Sequence, residues 1–135
     1  MEERKNHFIW PIRVYYEDTD AGGIVYHSNY LNFMERARTE WLRSLGFEQK
    51  KLARETGLVF AVTRMDVQFL APARLDDAIK VSVTLVKRGR ASLNLAQEIR
   101  RNSDGRILIR ATAKIAMLDE HFKPTRMPAA FLAVL

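Results

Sequence analysis

The sequence predicts an α+β domain in which a curved antiparallel sheet wraps one long central helix. Three observations carry this. Apolar residues recur at spacings of three and four along one long stretch, from Tyr30 to Leu45, the period of an amphipathic helix. Most of the second half alternates apolar and polar residues, the period of half-buried strands. Turn-forming segments, "KRGR" at 87–90 and "NSDG" at 102–105, separate the alternating runs as successive hairpins require. With 135 residues, 47% of them hydrophobic and 28% charged, the chain fits a single domain spanning 1–135. No repeat, linker or low-complexity segment interrupts it.

The elements follow in chain order. Residues 12–17, "IRVYYE", set Ile12, Val14 and Tyr16 against Arg13, Tyr15 and Glu17 and predict the first strand. From Ser28 the period changes: Tyr30, Phe33 or Met34, Ala37, Trp41 and Leu45 share one face, while Glu35, Arg36, Arg38, Glu40 and Arg43 take the others. Ser28 is placed as N-cap and Gly46 as the residue past the last turn, giving about 17 helical residues and roughly 26 Å of rise. A shorter helix is expected from about Glu48 to Thr56, ending at Gly57. Met65, Val67 and Phe69 alternate with Arg64, Asp66 and Gln68, and Ile79, Val81, Val83 and Leu85 alternate with Lys80, Ser82, Thr84 and Val86. Beyond the turn at Gly89 come Leu93, Leu95 and Ile99, then "RILIRATAKIAML" after 102–105, so three strands form an antiparallel meander. Pro128 suits the first position of a short terminal helix, with an apolar tail as the alternative. A single sheet leaves edge strands open, and pairing two copies edge to edge would cover them, so a homo-oligomer is expected.

Composition narrows the chemistry. Without cysteine there are no disulfides, thiolate metal sites or cysteine nucleophiles, which leaves carboxylates, three histidines and hydroxyls. The net charge of +6 favours anionic partners. Yet the basic residues are dispersed and do not interleave with aromatics as single-strand binders require, so nucleic acid is not the expected partner. No apolar run reaches the roughly 18–20 residues needed to span a bilayer. The opening "MEERKNH" has no apolar leader core, and a cytoplasmic location without stable membrane insertion is expected.

The stretch "YEDTDAGGIVYHSNY", 16–30, places Glu17, Asp18 and Asp20 just before the long helix. One reading is a turn, since Asp accepts local backbone hydrogen bonds and Gly permits positive φ. A calcium loop fails at its twelfth position, where Asn29 replaces the bidentate glutamate, and a strand precedes it where a helix is required. No metal is therefore expected. The third reading is catalytic: Asp20 lies a few residues before the unpaired N–H groups of a helix start, which carry partial positive charge and can polarise a carbonyl. A carboxylate beside a polarised carbonyl attacks it or activates water that does. Being a weak nucleophile, it needs a good leaving group, and a thiol with pKa near 8.5 leaves as thiolate far more readily than an amide nitrogen. A thioester is the natural substrate.

At these residues the chain resembles the 4-hydroxybenzoyl-CoA thioesterase family of hotdog-fold acyl-CoA thioesterases. The match is carried by Arg13-Val14, Thr19-Asp20, Gly23-Ile24-Val25 and Tyr30. "RVYYEDTDAGGIVYHSNYL" and "APARLDD", 71–77, are most similar to the YbgC-like, Tol-Pal-associated branch. The resemblance implies a hotdog fold, dimers that pair into tetramers, and sites near subunit interfaces. It implies acyl-CoA hydrolysis without cofactor, with Asp20 as nucleophile or general base and the backbone N–H of His27 at the thioester carbonyl. The His27 ring would orient water, substrate or Asp20. Arg88 and Arg90, flanking Gly89, are placed as in a hotdog turn that binds CoA phosphates; a solvated turn is the alternative. Tyr26-His27-Ser28 stand where the hydroxybenzoyl enzyme has aromatic residues and a proline, which favours an aliphatic acyl group.

Two other functions compete. One is a non-catalytic scaffold binding acyl-CoA or acyl-carrier protein in envelope or phospholipid assembly, which would bind without turnover. The other is a hotdog dehydratase, for which the chain lacks a His-Phe-Pro-Gly segment.

Overall fold

A computed structural model of the chain describes residues 7–135. The residues before His7, which form most of the charged opening from which a cytoplasmic location is expected, lie outside that range. Five strands, β1 (His7–Arg13), β2 (Val59–Phe69), β3 (Ala78–Arg88), β4 (Ser92–Arg101) and β5 (Ile107–Leu118), form one sheet. Its order is β1-β3-β4-β5-β2, antiparallel at every step. Helix α1 (Asn29–Ser44) lies across one face, α2 (Gln49–Thr56) follows it, and α3 (Ala129–Leu132) closes the chain. This is the hotdog arrangement, with β3, β4 and β5 as the meander read from the sequence.

Helix α1 forms where its apolar period and its flanks agree. Phe33, Met34, Ala37 and Trp41 are fully buried against the sheet. At its C-terminus Gly46 adopts φ +94°, a left-handed conformation that glycine accepts without strain. Ser28 occupies the N-cap position, but its side chain makes no capping bond. In β4 and β5, register places Leu93 opposite Ile115, Leu95 opposite Ala113, Gln97 opposite Ala111 and Ile99 opposite Ile109. All eight are buried or nearly so, and strand alternation puts them on the helix-facing side.

Gln97 is the polar member of that series and only 1% exposed. Its Nε2 donates to the Met34 carbonyl at 3.1 Å and its Oε1 accepts from Arg38 Nη1 at 2.9 Å. Sheet and helix are therefore joined by hydrogen bonds as well as by packing. Burial pushes the Arg38 guanidinium below its ordinary pKa, and Glu35 opposes this. Gln97→Leu is expected to destabilise the fold by about 2 kcal/mol despite its greater hydrophobicity, because a mostly buried cation loses its acceptor. Urea unfolding measures this; a variant as stable as the parent would show that the link contributes nothing net.

Three boundaries differ from the sequence reading. The first strand is "HFIWPIR", 7–13, not 12–17. Pro11 is tolerated because β1 is an edge strand paired only with β3. "VYYE" alternates but forms no strand: Tyr15 and Tyr16 are both exposed (61% and 82%), and Tyr16–Asp18 curls into a 3-10 turn. The Asp18 carboxylate accepts from the Tyr15 backbone N–H at 2.8 Å, a local bond that competes with a ladder. Strand β2 starts at Val59, earlier than its alternation suggests, because a register shift between Val62 and Arg64 breaks the period. The terminal segment does form a short helix, with Pro128 as its N-cap.

Candidate active site

The segment from Val14 to Ser28 forms a loop at the end of β1 that turns into α1. The three carboxylates that crowd the sequence separate in space. Glu17 faces solvent, Asp18 is 6% exposed, and Asp20 is exposed at the loop tip. A bridge between Thr19 and Val25 closes the loop, and Gly23 turns it at φ +79°, where a Cβ would be strained. Asp20 Oδ1 accepts from the Gly22 N–H at 2.8 Å. Its other oxygen has no partner among the described residues. The carboxylate is thus held at one oxygen and open at the other.

The helix start supplies the complementary groups. Asn29 N–H bonds to the Tyr26 carbonyl and Leu31 N–H to the Ser28 carbonyl. Among the described residues, neither His27 nor Ser28 has an acceptor for its backbone N–H. Free donors at the positive end of α1 are suited to a developing oxyanion. The His27 ring is exposed and lies among aromatics, 4.6 Å from Tyr26 and 6.4 Å from Phe69 between centroids.

A second loop, 70–77, forms the floor. Ala73 accepts from the Val25 N–H at 2.9 Å and donates its own N–H to Tyr30 Oη at 2.9 Å. Burial pushes the Tyr30 phenol above its ordinary pKa, partly offset by that Ala73 bond. Arg101 anchors the floor from β4: it donates to the Pro72 carbonyl at 2.7 Å and pairs with Asp77 at 3.3 Å and Asp104 at 2.9 Å. Tyr30→Phe is expected to cost about 1–3 kcal/mol, the penalty for a buried N–H left without an acceptor. Thermal unfolding checks this, and an unchanged midpoint would mean that the Ala73 N–H finds another partner.

Asp20 and His27 are therefore brought to one loop. Arg88 and Arg90 are not. They sit at the β3–β4 turn, whereas the Asp20 loop lies near the start of β3, where Val14 N–H bonds to the Asp77 carbonyl. About ten residues of β3 separate the two ends, roughly 30 Å. Arg88 donates to the Leu132 carbonyl at 2.7 Å, so it is tied to the C-terminal helix. The sequence reading placed Tyr30 within the family motif without its Oη as a support of the site, and it missed Asn29 and Arg101. Asn29 carried a signal of its own, as a polar residue at the helix's first turn.

A sequence profile of the thioesterase-like superfamily matches residues 14–135. The chain belongs to that superfamily. The acyl-CoA thioesterase YbgC of Haemophilus influenzae is 44% identical over 124 residues, 91% of this chain and 90% of that protein. The acyl-CoA thioester hydrolase YbgC of Escherichia coli O6:H1 is 42% identical over 127 residues, 93% of each chain. Among solved structures, a probable thioesterase from Bartonella henselae superposes with a TM-score of 0.85 at 34% identity, covering 90% of this chain and 99% of that one. The chain is thus a YbgC-like hotdog protein and an enzyme, an acyl-CoA thioesterase. In this YbgC-like chain no helix among the described residues is long and apolar enough to cross a membrane.

Proposed function

We propose that this thioesterase hydrolyses aliphatic acyl-CoA to the carboxylic acid and free CoA at the loop joining β1 to α1. Asp20 acts as nucleophile or general base, and the backbone N–H of His27 polarises the thioester carbonyl. The observation that carries this reading is the placement, on the one segment between β1 and α1, of a carboxylate with an open oxygen and a helix start with N–H donors that have no acceptor among the described residues. As the tetrahedral intermediate forms, negative charge gathers on the carbonyl oxygen where such donors act, and collapse expels CoA as thiolate. The rings of Tyr26, His27 and Phe69 give the acyl group an apolar wall.

The working unit is a dimer or higher oligomer. Its support is the open edge of β2, bordered by exposed Val62, Phe69 and Leu70, which a second β2 would cover. Contact between CoA phosphates at this site and Arg88 or Arg90 requires a second chain to carry that turn to the Asp20 loop. Acyl-carrier protein is the alternative thiol carrier, and cytoplasm the expected location. Thiol release from short-chain, long-chain and aromatic acyl-CoAs, with light scattering for the assembly, tests the reading. Turnover highest on aliphatic substrates supports it, and a preference for aromatic acyl groups overturns the substrate class.

A further inference from the structure

We propose that Asp18 is the positioning residue of this site, a buried clamp that sets the spacing between the Asp20 carboxylate and the His27 N–H. This rests on the reading of those two groups given above. Asp18 Oδ2 accepts from the Tyr15 N–H at 2.8 Å, and Oδ1 accepts from Asn29 Nδ2 at 2.6 Å. Its backbone carbonyl accepts from the Tyr26 N–H at 3.0 Å. One residue thus holds the turn before the loop, the residue preceding His27, and the first residue of α1. Asp20 and His27 both lie inside the eleven-residue span that the Asp18–Asn29 bond closes. Any relaxation of that bond changes their relative placement.

Burial supports the assignment. A carboxylate nearly removed from water is unfavourable unless its oxygens are hydrogen-bonded, and here both are, with no cation in salt-bridge contact among the described residues. Charge-assisted bonds of this length are strong and directional. The amide of Asn29 is itself oriented, since its Oδ1 accepts from Asn32 Nδ2 at 2.9 Å. An amide at position 18 would offer one acceptor and one donor, so with Tyr15 satisfied its NH₂ would meet the NH₂ of Asn29.

That polarity gives a specific test. Asp18→Asn is expected to lower kcat roughly 10- to 100-fold with KM little changed, because a displacement of about an ångström in reacting groups has effects of this size. Asn29→Asp alone sets two carboxylates against each other and is expected to be at least as impaired. The double variant Asp18→Asn/Asn29→Asp reverses the direction of the hydrogen bond and places an acid at the helix start, where it is favoured. It is expected to recover kcat to within about threefold of the parent. All rates are taken per folded molecule, below the measured unfolding midpoint of each variant. A stabilising role alone would move the midpoint and leave kcat unchanged.

Asp18→Asn with parental kcat would overturn the proposal. So would a double variant that regains thermal stability but not turnover. Asp20→Asn, measured alongside, separates the two readings: if it retains activity the role of Asp20 fails, and the reciprocal pair still judges whether the clamp governs turnover. If it is inactive while Asp18→Asn is not, only the clamp fails.

Discussion

Asp20→Asn is expected to lower kcat by roughly 10²–10⁴-fold, the range for losing a positioned base or nucleophile, with the fold and acyl-CoA binding retained. The substitution is nearly isosteric. Asn keeps an oxygen where Asp20 Oδ1 accepts from the Gly22 N–H, so the loop has no reason to open. It loses the charge and basicity of the exposed oxygen. No other group at the tip replaces them: Asp18 spends both oxygens on Tyr15 and Asn29, and Glu17 lies on the 3-10 turn before the bridge that closes the loop. Thiol release under saturating acyl-CoA, with circular dichroism to confirm the fold, measures the effect. A fall of less than about tenfold would remove Asp20 from the chemistry and leave water attack to another group.

Much of this architecture was legible because period and burial coincide. In α1 the predicted face, Tyr30 through Trp41, is the buried face, and Gly46 ends the helix through its positive φ. The meander followed from alternation and two turns. What failed was local competition. "IRVYYE" alternates, yet an Asp three residues beyond Tyr15 captures the backbone N–H that a strand would have used. Pro11 is acceptable in β1 only at a sheet edge, and an edge position is a property of the whole sheet. Asp20 and His27 lie together because they share one continuous segment. Tyr30, Ala73 and Arg101 converge from three separate elements, and no spacing within one segment encodes that. The remoteness of Arg88 and Arg90 is likewise tertiary, set by the length and direction of β3.

Loss of the His27 side chain and loss of its backbone N–H are expected to have very different consequences. The exposed ring lies tilted against Tyr26 and edge-on to Phe69 and makes no hydrogen bond among the described residues, so His27→Ala should lower kcat by less than about tenfold. The backbone N–H of His27, by contrast, has no acceptor among the described residues. Replacing it with an ester oxygen by semisynthesis is expected to lower kcat about 10²–10³-fold, the usual effect of deleting one oxyanion donor, or about 2.7–4 kcal/mol. The ester also weakens the Tyr26 carbonyl, which accepts from Asn29 at 2.8 Å, so an ester at Asn29, which deletes that bond and leaves the His27 N–H in place, is one necessary control, and an ester at Ser28 is the other. It removes the neighbouring N–H while leaving the Tyr26 carbonyl an amide. A large effect at 27 and small ones at 28 and 29 assign the oxyanion to His27. Equal effects would mean that both donors share it, as two adjacent free N–H groups at a helix start allow. The reverse pattern, with the ring essential and neither ester harmful, would move the chemistry to the imidazole, and the helix start would then serve only to hold it.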